Sequence, residues 1–211
     1  TSFDEFSTDP FEDSFENRRL AFLTHIQNTP APNSPKAAWY ELGRLAAGRT
    51  THQGILKACL QVIENRQDGA EIASHAILRI IFQFPRFLIS NPELQAQIEQ
   101  TYLGFKYWPD ENGADSMCMW TESHYLLFAA AGFLAGQVFH DRNFLASQRS
   151  GVEMMRANRR RILDWMNLRF YTGFSEWLSD VYYDEDLAAL LNLADFCGDQ
   201  EIQQKAQILV D

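Results

Sequence analysis

The segment from Tyr125 to Phe139, YLLFAAAGFLAGQVF, constrains the fold of this chain most strongly. It carries no charged side chain, and Gln137 is its only strongly polar one. A helix at a protein surface has an apolar stripe and a polar face, whereas a helix that is apolar on every side is buried all round. The segment is also shorter than the roughly 20 apolar residues that a membrane-spanning helix needs. The sequence therefore predicts a buried central helix, with the polar residues at its start facing a cavity or cleft.

Helical periodicity extends over most of the remaining chain, and no stretch shows the convincing period of two that indicates a strand. Residues 1–9 are polar and acidic, and we predict that they form a loosely held arm. Asp9-Pro10 is a typical N-cap and first helical position, and Gly48 is a typical helix stop. The predicted helices span residues 10–28, 36–47, 51–65, 70–83, 92–104, 117–139, 150–170, 184–196 and 200–210.

Two kinds of helix alternate in the second half of the chain. Tyr125–Phe139 and Leu187–Phe196 are apolar on every side, whereas Ser150–Phe170 and Gln200–Val210 are amphipathic. This alternation is expected where inner helices contact neighbours on all sides and outer helices face water. We predict an all-α fold of alternating inner and outer helical hairpins, a partial or complete α/α toroid. Residues 1–211 would form a single helical domain, the N-terminal part of a longer toroid, because the last helix has no stop signal.

Composition excludes several classes of partner and site. The formal net charge is −10 at pH 7, whereas nucleic acid and anionic membrane surfaces both call for patches of lysine and arginine. We therefore expect neither as a partner. The cysteines are an odd number without close pairs, which indicates neither a disulfide framework nor a zinc site. They are Cys59, Cys118 and Cys197.

No metal or cofactor site is predicted from the remaining motifs. The polar loop of residues 105–116, FKYWPDENGADS, contains acids whose spacing does not match a calcium-binding EF-hand loop. We interpret it as a solvated loop in which Trp108 can line a groove. Phosphate-binding and dinucleotide-binding glycine motifs are also absent from the sequence. Four histidines have no partner at ligand spacing: His25, His52, His75 and His140.

The first candidate cluster opens the predicted central helix and contains Trp120, Glu122 and His124. The free N–H groups of a first helical turn favour an anion, so Glu122 stabilises the helix end electrostatically. An imidazole beside a carboxylate and an indole can act as the general base of a sugar site. The alternative is structural: His124 would be a hydrogen-bonded core histidine, and Glu122 would be a capping residue.

The second candidate cluster is the segment FSEWLSDVYYDED, residues 174–186, which leads into the next apolar helix. The indole of Trp177 can stack on a sugar ring, with Glu176 beside it. The hydroxyl groups of Tyr182 and Tyr183 can donate or accept protons at a scissile bond. The alternative is an aromatic loop that plugs one end of the toroid.

These two clusters resemble those of a group of large, mostly uncharacterised α/α-toroid proteins. The resemblance covers about residues 105–211 and is carried by MWTESHYLLFAAAGFLAGQVF and RRRILDWMNLRFYTGFSEWLSDVYYDEDLAALLNLADF. The group's pattern is Trp-Thr-Glu-Asn-His on an inner helix, then Gly-Phe-x-Glu-Trp-x-Ser and tyrosines. More distantly, the group resembles α/α-toroid polysaccharide lyases, which implies His124 as base or neutraliser and Tyr182 or Tyr183 as the acid–base tyrosine. Ser123 departs from the pattern, which has Asn there to bind a uronate carboxylate.

The function expected from these features is that of a carbohydrate-active enzyme, lyase-like or hydrolase-like, whose partner is a poly- or oligosaccharide. Parallel inner helices of a toroid share one mouth, so we expect Glu122, His124, Trp177 and the tyrosine pair to converge there. Trp120, Ser123, Glu176 and Trp108 would add substrate contacts. The alternative is a non-catalytic helical scaffold or interaction module, which self-associates through exposed inner helices.

Overall fold

The computed structural model describes residues 14–211, and it confirms an all-α protein. The predicted arm of residues 1–9 and the helix start at Asp9-Pro10 lie outside the described residues. Two short strands, β1 (Asn143–Phe144) and β2 (Arg149–Ser150), pair antiparallel in a hairpin. The helices are α1 (Phe15–Asn28), α2 (Ala37–Ala46), α3 (Gln53–Glu64), α4 (Ala70–Gln83), α5 (Pro85–Ile89), α6 (Pro92–Gly104), α7 (Glu122–Val138), α8 (Gly151–Thr172), α9 (Tyr183–Phe196) and α10 (Gln200–Val210).

Capping chemistry sets several of the helix ends. The hydroxyl of Ser150 and the side chain of Glu153 form a capping box at the start of α8. At the start of α1, the Ser14 hydroxyl accepts a hydrogen bond from the Asn17 N–H at 3.1 Å, so this helix begins at Phe15 in the structure. The predicted helices leave residues 84–91 without one, because a proline directly after a helix is typical of its end. Proline also suits the first turn of a new helix, and Pro85 occupies that position.

The predicted buried central helix is α7, which packs against α4, α8 and α9. Every residue from Leu126 to Gly136 is buried. Glycines allow α8 to approach closely, since a Cβ atom on Gly136 would lie only 2.7 Å from the carbonyl oxygen of Gly151. The other helix predicted to be apolar all round, α9, faces water on one side, where Leu191 is 40% exposed. The closure of these helices into an α/α toroid stays a prediction.

One buried polar group ties the three central helices together. His75 of α4 lies 2.9 Å through Nε2 from the carbonyl oxygen of Leu127 in α7. Its Nδ1 lies 3.0 Å from the side-chain amide of Asn192 in α9. Burial lowers the pKa of His75 to about 4, so the neutral ring donates to Leu127 and accepts from Asn192. Spacing along the sequence identifies no partner for His75, and the structure makes this residue an internal link between helices.

The N-terminal ends of four helices meet at one end of the protein. Their N-cap residues are Lys36 for α2, Gly69 for α4, Thr121 for α7 and Tyr182 for α9, and all four border one cleft. This convergence is what places side chains from distant parts of the sequence around a common space. Across the described residues, none of the helices has both the length and the apolar character needed to cross a membrane.

Candidate functional site

The cleft between these helix ends has a volume of about 600 Å³. Its ionisable side chains are those of Lys36, Asp68, Glu71, His124 and Glu185, with Cys118 and Tyr182 beside them. A larger hollow of about 790 Å³ runs along one face of α1, but it is an open surface groove lined by that helix and its C-cap. The cleft is the better candidate site, because ionisable groups from four segments converge on it.

Glu71 is the most buried acid of the cleft, in the first turn of α4, with none of its surface exposed. Within residues 14–211, neither of its carboxylate oxygens has a hydrogen-bond partner. Burial, and to a smaller extent the charges of Asp68 and Glu185, raises the pKa of Glu71 to about 8. At pH 7 the group therefore carries its proton and is neutral, which suits a proton donor.

His124 lies beside Glu71, in the first turn of α7. The hydroxyl of Thr121 lies 2.6 Å from Nδ1 of His124, and Nε2 lies 3.3 Å from Oε1 of Glu71. The contact between Nε2 of His124 and Oε1 of Glu71 does not have hydrogen-bond geometry, and Oε1 accepts no hydrogen bond from the described residues. Burial lowers the pKa of His124, so the ring is neutral, with Nδ1 accepting from Thr121 and Nε2–H facing Glu71.

Glu185 and Tyr182 bring the start of α9 to the same cleft. Glu185 is only 7% exposed; its Oε1 lies 3.9 Å from the ammonium group of Lys36, and its Oε2 has no hydrogen-bond partner. Burial raises the pKa of Glu185 to about 7, although Lys36 opposes the shift. Tyr182 is 39% exposed and reaches the cleft, whereas Tyr183 packs its ring against Phe174.

Glu122 turns away from the cleft and binds the loop between α8 and α9. Its carboxylate accepts hydrogen bonds from the backbone N–H of Ser175 at 2.9 and 3.0 Å and from the Ser175 hydroxyl, and it pairs with Arg169. Its backbone carbonyl accepts a hydrogen bond from the indole of Trp165 at 3.0 Å. Glu122 thus holds residues 173–182 against the start of α7.

Three carboxyl groups, including that of Glu122, lie close together where α7 meets the loop between α8 and α9. One carboxylate oxygen each of Glu122, Glu176 and Asp186 lie within 4.8 Å of one another. Asp186 is 1% exposed with both oxygens unpartnered, and burial raises its pKa to about 7. Three such oxygens could hold a hard divalent cation. However, Arg169 already provides a positive charge, and the Glu122 oxygens already accept hydrogen bonds, so we assign no metal to the cluster.

The aromatic residues predicted to bind substrate lie in different places. Trp120 is 82% exposed just before α7, and Trp177 is 66% exposed with its ring edge-on to Tyr183. Trp108 packs instead between the Arg161 guanidinium, 3.8 Å from its ring centre, and the ring of Tyr125. It is not among the residues that line the cleft.

Of the predicted site residues, His124 and Tyr182 share the cleft. Ser123 is fully buried beside His124, whereas Glu176, Trp177 and Tyr183 belong to the adjoining segment. The sequence did not single out Glu71, Glu185 or Lys36 as site residues, although the three cluster in space. The only local signal for the two acids is their place in the first turns of apolar helices, where acids are also common as helix-stabilising residues.

Comparisons with protein-family models, curated proteins and solved structures found no match to this chain.

Proposed function

We propose that the chain is a carbohydrate-active enzyme that cleaves glycosidic bonds in the cleft by acid–base catalysis. One observation carries the proposal: two buried carboxyl groups with raised pKa values, Glu71 and Glu185, line the same cleft as His124 and Tyr182. Most glycosidases use a pair of carboxyl groups on either side of the scissile bond. The different environments of the two groups supply the required pair of roles.

The roles follow from the protonation of each group. Glu71, with a pKa of about 8, keeps its proton at neutral pH and donates it to the leaving glycosidic oxygen. Glu185, with a pKa of about 7, is partly ionised and acts as base toward water or as nucleophile. His124 places its neutral Nε2–H 3.3 Å from Oε1 of Glu71, close enough to donate to the carboxylate once Glu71 has given up its proton. Tyr182 borders the cleft, where its hydroxyl would bind the sugar.

Hydrolysis suits this cleft better than β-elimination. Elimination requires a base that removes the proton α to a uronate carboxyl group, with a neighbouring group that neutralises that carboxylate. A uronate in this cleft would face Asp68, Glu71 and Glu185, while the Lys36 ammonium is held by Asp184 at 2.7 Å. Ser123, at the position of the asparagine in the toroid pattern, is fully buried.

The test is a panel of neutral, amino-substituted and acidic oligosaccharides, with new reducing ends and new unsaturated ends measured separately. We expect reducing ends from at least one glycan, and activity that falls as the pH rises through about 8, where Glu71 loses its proton. Glu71→Gln should lower turnover by about 100-fold or more, because proton donation is lost. Glutamine matches the shape of the neutral acid, so the variant should fold.

The matched control is Glu93→Gln, the same change at an exposed position in the first turn of α6. It should leave turnover unchanged. Unsaturated ends would contradict hydrolysis and restore the lyase hypothesis. A lack of turnover on every glycan would contradict the proposed enzyme.

A second candidate, a non-catalytic scaffold or interaction module, is favoured by the apolar surface at the end of α8 and the loop after it. Tyr171 is 91% exposed, Leu178 77% and Trp177 66%. This surface adds to the one predicted for self-association, the exposed face of an inner helix, which in α9 includes Leu191 at 40% exposure. Tight self-association in analytical ultracentrifugation, together with no turnover in the glycan panel, would favour this second function.

A further inference from the structure

The cleft contains more acidic than basic side chains. Asp68, Glu71 and Glu185 line it, and among the described residues Lys36 is its only lysine or arginine. Lys36 is itself engaged, with its ammonium group 2.7 Å from Asp184 and 3.9 Å from Glu185. A ligand in the cleft therefore meets an excess of acidic groups and a cation that already has partners.

The buried acids of the cleft also lack hydrogen-bond donors. Both oxygens of Glu71 and Oε2 of Glu185 are without a partner, and these side chains are respectively 0% and 7% exposed. Unpartnered polar atoms in buried positions are costly, so a ligand that supplies N–H or O–H donors gains from meeting them. Carboxylate and sulfate groups have no such donors, whereas hydroxyl and ammonium groups do.

The helix ends around the cleft do not reverse this preference for ligands with hydrogen-bond donors over anions. A helix N-terminus attracts anions through its free N–H groups. In three of the four helices, however, an acidic side chain of the same chain already occupies the first turn: Glu71 in α4, Glu122 in α7 and Glu185 in α9. An anion bound at the start of α4 or α9 would lie beside these carboxyl groups and would oppose their ionisation, so these helix ends attract a second anion less than uncapped ones would.

From these contacts we propose that the substrate is an amino-sugar glycan with free amine groups, and that a protonated amine binds at Glu185 beside Asp68. This inference rests on the proposed function and names its substrate class. The ammonium group would donate to the unpartnered Oε2 of Glu185 and would add a second positive charge beside that of Lys36. The volume of about 600 Å³ lies within the roughly 300–1,000 Å³ that is usual for small-ligand sites.

The test compares hexasaccharides that share one linkage and differ at a single ring position. They are β-1,4-linked glucosamine, N-acetylglucosamine and glucose, with oligogalacturonate as the anionic comparison. Binding is measured by calorimetry on the Glu71→Gln chain, so that the glycan is not cleaved, near pH 7, where Glu185 is partly ionised and the amine is partly protonated. We expect the glucosamine hexamer to bind about tenfold or more tighter than the glucose hexamer, as for a charge-assisted hydrogen bond. Added salt should reduce this difference.

A second substitution identifies the group that recognises the amine. Adding Glu185→Gln should bring the glucosamine hexamer close to the affinity of the glucose hexamer, while binding of the glucose hexamer changes little. Adding Glu93→Gln at the distant start of α6 should leave the preference intact. Retention of the preference without Glu185 would overturn the proposal.

The remaining outcomes separate this inference from the proposed function. Equal affinity for the three neutral and amino hexamers, or preference for the acetylated or acidic glycan, would overturn the amino-sugar inference. Cleavage of those glycans by the unmodified chain would still support the enzyme. No binding and no cleavage of any glycan would overturn both.

Discussion

Two glutamates of this protein have none of their surface exposed, yet their surroundings differ completely. Glu41 in α2 pairs with the guanidinium of Arg44, accepts a hydrogen bond from the backbone N–H of His52 at 2.7 Å, and lies 3.3 Å from the His52 ring. Glu71 in α4 has no hydrogen bond to either carboxylate oxygen. The two sites show that burial alone does not reveal the role of an acid.

The difference in hydrogen bonding between the two glutamates separates a structural residue, Glu41, from a reactive one, Glu71. Glu41 is compensated by a cation and by backbone donors, so its charge is already used in holding α2 to the following loop. Glu71 borders a cleft and lacks such compensation, and its pKa rises to about 8. Uncompensated buried acids with shifted pKa values are typical of functional sites, and unfavourable for stability.

Removing the compensation of Glu41 should have the largest effect on stability. Arg44→Met keeps much of the side-chain volume but leaves a buried carboxylate without its cation, and it removes the hydrogen bond from Arg44 to the Thr29 carbonyl. We expect a loss of about 3–5 kcal/mol in the free energy of unfolding, measured by urea denaturation. Arg156→Met, at an exposed position of α8, should change it by less than about 0.5 kcal/mol. A similar small loss for Arg44→Met would mean that Glu41 needs no cation.

A smaller effect, of opposite sign, is expected for Glu71→Gln. The folded-state pKa of about 8 lies above the ordinary value of 4.5. The stability that comes from the bound proton is therefore complete below pH 4.5 and is lost as the pH rises through about 8. Glutamine cannot ionise, so above pH 8 the variant should be more stable than the unmodified chain, by about 1–2 kcal/mol.

Thermal unfolding at several pH values checks this prediction. The difference between the two chains should be small at pH 5, should grow as the pH rises toward about 8, and should level off above that pH. Glu185 and Asp186 also have raised pKa values of about 7, so both chains should lose stability between pH 4 and 7. An equal pH dependence of both chains between pH 5 and 8 would show that Glu71 is already ionised in the folded protein.

The sequence predicted the all-α class because helices depend on local patterns. The uncharged run from Tyr125 to Phe139 identified the buried helix α7, and the predicted helix starts at residues 70 and 200 agree with those of α4 and α10. The partners of His75 could not be predicted in this way. They lie 52 and 117 residues away in the chain, at Leu127 and Asn192.

The cleft could be predicted only in part, because residues far apart in the sequence form it and such contacts leave no local pattern. Parallel inner helices explain why His124 and Tyr182 reach one space, because both belong to helix starts. Glu71 occupies a first-turn position that in most helices is solvated, and only the packing of α4 against α7 and α9 buries it. No periodicity in the sequence distinguishes such an acid from an ordinary helix-stabilising one.

The last and smallest stability effect concerns the histidine beside each glutamate. The ring of His52 is 64% exposed, and Glu41 keeps Arg44 and a backbone N–H without it, so His52→Ala should change stability by less than about 0.5 kcal/mol. His124 has a side chain only 12% exposed, but its Thr121 cap still accepts the backbone N–H at position 124 when the ring is removed.

We therefore expect His124→Ala to cost about 1 kcal/mol in the free energy of unfolding, while turnover or glycan binding is lost. The reason is that the ring contacts Glu71, a group that the fold does not need in its charged form. Urea denaturation and the glycan assay, applied to both histidine variants, measure the two effects separately. A destabilisation as large as that of Arg44→Met, with activity retained in the folded fraction, would make His124 a structural residue like His75. Glu71 would then lose its proposed partner in catalysis.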